Sequence, residues 1–112
     1  MNQEINEYLK NYPLEIITLF KEIESLIYQT NVSIDAKLWA KLPSYYYNDQ
    51  VIRLIPFKDH INIEATGIVK HKDELTDFKI TPKGMLQIFL KQNIPYEILK
   101  IVFTETLLSQ NS

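Results

Sequence analysis

Between positions 38 and 65 the chain gathers Trp39, Tyr45, Tyr46, Tyr47, Arg53, His60 and Glu64, side chains that do chemistry when they share a surface. An arginine fork grips carboxylate or phosphate, and flanking aromatic rings make a wall for a planar or anionic ligand. Trp39, Tyr45, Tyr47, Arg53 and His60 are therefore the candidate ligand-binding set. His60 and Glu64, four positions apart, offer imidazole nitrogen and carboxylate oxygen, the donors that a hard metal such as iron accepts, with Asp59 adjacent. Against that, Glu64 has Arg53 as a natural ion-pair partner, and His60 closes a turn where it packs on Phe57.

Other chemistries lack their residues. With no cysteine in 112 residues, thiolate nucleophiles, zinc fingers, iron–sulfur ligation and disulfides are excluded. No serine stands in a G-x-S-x-G elbow, and His71 falls in a polar stretch. Gly67 and Gly84 are the only glycines, too few for a phosphate-cradling loop. An enzyme is not expected. A net charge of −2 gives no electrostatic footprint for duplex nucleic acid. Glu4, Glu7, Glu15, Glu22 and Glu24 would form an acidic helix surface, interrupted by Lys10 and Lys21, of the kind any solvated helix face shows.

The polar start carries no signal-peptide pattern and no apolar run is long enough to span a bilayer, so a cytoplasmic protein without membrane contact is expected. Forty-six per cent hydrophobic residues suffice for one domain, 1–112, with a real core. Richness in Ile, Lys and Asn points to an AT-rich bacterial genome.

The elements that must position these residues are legible from periodicity. Asn2 caps a short first helix, and Pro13 opens a second in which Ile16, Leu19, Phe20, Ile23, Leu26 and Ile27 recur at helical spacing. The period then becomes two: Val32, Ile34, Ala36, Leu38, Ala40 and Leu42 alternate with polar residues as one half-buried strand. Asn48-Asp49 marks a turn before a strand over 51–57, and Lys58-Asp59 a turn before a strand over 60–65. A polar excursion follows, then a strand over 85–90, then a helix opened by Pro95 with Ile98, Leu99, Ile101, Val102 and Leu108 toward the sheet.

Parity assigns faces, because a one-residue slip inverts every side chain. A two-residue turn at 58–59 opposes Arg53 to Glu64 and sends Ile52, Leu54, Ile61 and Ile63 to the core. A three-residue loop over 48–50 continues the earlier alternation, with Tyr46 in the core and Tyr45 and Tyr47 on the second face beside Trp39, Arg53, His60, Asn62 and Glu64. Pro43 argues for an edge strand or a bulge, and a bulge would remove Trp39 from the set.

Leu42-Pro43-Ser44-Tyr45, the run Phe57-Lys58-Asp59-His60-Ile61, and Gly84-Met85-Leu86-Gln87-Ile88-Phe89 ahead of Ile94-Pro95 together resemble the YdhG-like family, a bacterial group of unknown function. The resemblance covers about 13–108. It departs where the family has an aromatic three residues before the proline and this chain has Ala40, with Trp39 one position earlier. It implies a small α+β domain with a curved antiparallel sheet. Some members are described as frataxin-like intracellular iron chaperones, so it also implies iron as a possible cargo, with no motif to carry ligands over.

The expectation is an α+β domain: a curved antiparallel sheet of about four strands, with N-terminal and C-terminal helices on one face. Functionally it is a cytoplasmic binding module without resident cofactor, presenting an aromatic and basic sheet face to a small molecule, a protein or a second copy in a homodimer. The alternative is iron delivery through His60 and Glu64.

Overall fold

The computed structural model describes residues 2–109 as an α+β fold whose elements run α1 Gln3–Leu9, α2 Leu14–Tyr28, β1 Asp35–Trp39, β2 Leu42–Tyr47, β3 Gln50–Pro56, β4 His60–Glu64, a 3-10 segment Thr66–Glu74, β5 Lys79–Ile80, β6 Leu86–Phe89 and α3 Tyr96–Leu108. The sheet has six antiparallel strands in the order β1-β2-β3-β4-β6-β5, two more than expected. One addition is the short β5. The other arises because residues 32–42 do not form one strand: Ala40 and Lys41 both take positive φ, 50° and 65°, and fold the chain back as a two-residue turn. Such a turn favours Asn-Gly, since left-handed backbone strains a residue with a Cβ. Ala40-Lys41 carries no such signal, and the apolar alternation runs through it unbroken.

The helices cover one face. Phe20, Ile23 and Ile27 of α2 and Leu99, Val102 and Phe103 of α3 bury against Ile52, Leu54, Ile61, Ile63, Leu86 and Ile88. Ile101 and Leu108, expected to face the sheet, are 43% and 51% exposed; Phe103 and Leu107 take those places. The two prolines expected to open helices stand one position earlier, as caps: Pro13 precedes α2 and Pro95 precedes α3.

A polar pair lies within the core. Tyr45, wholly buried, donates from Oη to Glu24 Oε2 at 2.6 Å, and Glu24 is only 3% exposed. Its other carboxylate oxygen receives Lys21 Nζ at 3.4 Å. Glu24 therefore does not belong to a solvated helix face. Burial pushes the Tyr45 phenol far above its usual range, and the neighbouring Glu24 charge pushes it further, so Tyr45 stays a donor. The edge-on ring of Tyr28 closes this site.

The β1 edge is plugged by α1. Asn2 caps the helix by accepting from Ile5 N, and its Nδ2 donates to Ala36 O at 2.6 Å, while Glu4 accepts from Leu38 N at 3.0 Å. Outward backbone groups that would pair with another strand are thereby occupied. Pro43 lies in an interior strand, against expectation. Its partner Leu38 points its N–H away from β2, and the ladder to β3 starts only at Ser44, so no bond is lost.

The 3-10 segment is fastened to α3 at two points. Gly67 N donates to Thr106 Oγ1 at 2.9 Å, and a Cβ on Gly67 would stand 2.8 Å from Val102 O. Lower down, His71 places Nδ1 2.7 Å from Glu74 and Nε2 2.8 Å from Glu105. Those bonds, Glu74's first and Glu105's second, hold its imidazole above the ordinary value of 6.5.

Two outcomes follow from this packing. Gly67→Ala will destabilise by roughly 1–3 kcal/mol in urea unfolding, because the added methyl meets the Val102 carbonyl oxygen and the buried, hydrogen-bonded Thr106 hydroxyl, neither free to yield. For His71 the folded pKa exceeds the unfolded one. Its stabilisation is thus complete below about pH 6.5, provided the carboxylates are ionised, and fades as pH rises through the folded value. The stability gap between wild type and His71→Gln will be wider near pH 6 than near pH 9; an equal gap at both would contradict the clamp.

Candidate functional site: the open face of the sheet

Opposite the helices the sheet stands uncovered, and its register decides which side chains meet there. Arg53 pairs with Glu64 and Ile55 with Asn62, as parity requires across the 58–59 turn. The second turn departs from expectation. Tyr47 pairs with Gln50, so only Asn48 and Asp49 lie in the turn, with Asn48 at φ 52°. A loop one residue shorter inverts β2: Tyr45 and Tyr47 turn to the helix side, where Tyr45 enters the core and Tyr47 packs partly buried against it. Tyr46 takes the open face. Trp39 is still on that face, because the turn at 40–41 inverts parity a second time.

Arg53 is the centre of this face. Its Nη1 donates to Glu64 Oε2 at 2.7 Å, Nε to Ser44 Oγ at 3.1 Å and Nη2 to Tyr46 Oη at 3.2 Å. The guanidinium carbon sits 4.3 Å from the Trp39 ring centroid. Its fork and one planar surface are therefore occupied from within, and the side chain is only 13% exposed. The stacking is worth about 0.5–2 kcal/mol. Lys37 lies over the half-buried ring of Tyr46, 4.9 Å from its centroid. The anchor proposed for an anionic ligand is thus a structural hub, and Trp39, 53% exposed, rides on it.

Further along, His60 is sandwiched. Phe57 stacks on one side at 4.5 Å and 7°, and Phe89 on the other at 4.6 Å and 25°. Its Nδ1 lies 2.7 Å from Asp59 Oδ1. Between the two aromatic groups, Gln87 Nε2 donates to Asn62 Oδ1 at 3.1 Å.

His60 and Glu64 do share the face but not a centre. Four residues at about 3.3 Å each separate them by roughly 13 Å along β4. One is held between rings and the other by Arg53. Among the described residues, no three His, Asp or Glu side chains converge as a metal site would require.

The candidate set is therefore divided. Trp39, Arg53 and His60 stand on one surface; Tyr45 and Tyr47 do not. Tyr46, Ser44 and Phe89 belong there and escaped sequence reasoning. A two-residue turn at Asn48-Asp49 would have exposed Tyr46 and Ser44; Phe89 needed knowledge that β6 pairs with β4.

Nor is the face a pocket. A cleft of about 600 Å³ exists elsewhere, lined by Glu15, Glu22, Leu90 and Tyr96, away from Arg53 and His60. No helix among the described residues is long and apolar enough to cross a membrane. Comparison with known proteins finds no matching family model, no matching curated protein and no matching solved structure.

Removing Arg53 tests the hub. Arg53→Ala leaves Trp39 without its cation and Glu64 without its partner, so tryptophan emission, which reports Trp39 alone in this chain, will change in intensity and wavelength. A double-mutant cycle with Glu64→Gln will return a coupling of a few tenths to about 1 kcal/mol, as suits a pair whose acid is partly solvated.

Proposed function

We propose that this chain is a cytoplasmic protein-binding module, YdhG-like, whose working surface is the helix-free face of the sheet. The observation that carries the reading is internal pairing. Arg53 has spent its fork on Glu64, Ser44 and Tyr46, leaving rings and aliphatic stems to face outward. A small anionic ligand would need a free fork and a concave wall, whereas a protein surface needs a broad, flat, partly apolar one. Trp39, Tyr46, Phe57 and Phe89 supply the aromatic side chains that interfaces favour, and they are already held in place, which lowers the ordering cost of binding.

A photo-crosslinking amino acid at position 55, mid-face, tests the reading in the cell of origin, with position 101 on α3 as the control. Discrete protein adducts are expected from position 55, absent from position 101 and lost when Trp39→Glu is added. Adducts that ignore the Trp39 change, or arise equally from both positions, would overturn it.

A further inference from the structure

We infer that the partner on this face is a second copy of the chain, packed sheet to sheet about a two-fold axis; the inference rests on the protein-binding reading above. Charge argues for it first. A face that meets its own copy opposes like to like, so a patch of one sign cannot self-associate. Here Asp35 is 3.5 Å from Lys37 and Arg53 is 2.7 Å from Glu64, while Asp59, 2.7 Å from the His60 imidazole, adds a single negative charge. Lys79 at the far edge adds a single positive charge. Both signs are therefore balanced and mostly paired inside one copy. Such a face offers nothing to steer a partner of chosen charge, and it can be covered without demanding new counter-charges.

Edges and area agree. Strand-to-strand joining at β1 is obstructed by Asn2 and Glu4 of α1, and β5 at the opposite edge is only two residues long. Of the sheet's own surfaces, the open face is what remains for self-association. Strands of two to seven residues, at about 3.3 Å per residue and 4.8 Å apart, give a footprint of roughly 460 Å² per copy. Two copies would bury on the order of 900 Å², the size of a weak, concentration-dependent interface. Stacked sheets lie about 10 Å apart, which leaves room for Trp39 and the Phe57–His60–Phe89 file to interdigitate.

Sedimentation velocity of the purified chain across a micromolar to millimolar series tests this. The expected result is a mass rising from 13.2 kDa towards twice that value, with a parallel blue shift of Trp39 emission. Trp39→Lys and Ile55→Asp should weaken dimerisation by on the order of tenfold or more, while Ile101→Asp on α3 leaves it intact. Trp39 is largely exposed, so its variant keeps the fold and separates interface loss from unfolding, with circular dichroism as the check. A chain monomeric throughout overturns the inference, as does a dimer indifferent to Trp39→Lys and Ile55→Asp. If that monomer still gives Trp39-dependent adducts to a different protein from position 55, the binding surface stands and only the second copy falls. If neither appears, both fall.

Discussion

Two short turns without glycine govern this molecule, at Ala40-Lys41 and at Asn48-Asp49, because between them they set the register of β2. Side chains on a strand alternate, so register is a binary choice for every residue at once. The choice made here sends Tyr45 under α2 to hydrogen-bond the buried Glu24, and Tyr46 outward to Arg53. Either slip would place a tyrosine hydroxyl in the core without Glu24 and leave a buried carboxylate with a poor partner. A buried charge lacking its donor costs several kcal/mol, enough to offset the strain of left-handed backbone at Ala40, Lys41 and Asn48 when the apolar burial secured by the same register is added. The core thus selects the turns, although the turns carry little preference of their own.

The same division explains the chemistry of the two faces. On the helix side, apolar burial needs only alternation, and the polar exceptions, Glu24 and Thr106, are satisfied by named partners. On the open side no helix excludes water, so charged groups persist, but they are knit together rather than displayed. Arg53 joins β2, β3 and β4 through three side chains and supports Trp39 from β1. Such a hub keeps an uncovered sheet face ordered, which is the condition for presenting aromatic rings to a partner without a large entropic loss.

Much of the frame was legible from local pattern. The capping Asn2, the α2 apolar stripe, the Arg53–Glu64 pairing and the core parity of Ile52, Leu54, Ile61 and Ile63 all follow from spacing within a few residues. Three of the five candidate ligand residues, Trp39, Arg53 and His60, were placed on the right face. For Trp39 the reason was accidental, since two inverted parities cancel.

What the sequence determined by itself is therefore the type of each element and the polarity of strands bounded by clear turns, since these depend on the nearest neighbours along the chain. What only the tertiary structure decided is the orientation of β2, the sandwiching of His60 between Phe57 and Phe89, and the occupation of the rest of Arg53's donors by Ser44 and Tyr46, nine and seven positions away. Those rest on which strand pairs with which, and on a buried carboxylate that accepts only one of three consecutive tyrosines. Energies of that kind arise when distant segments meet, and no window along the chain contains them.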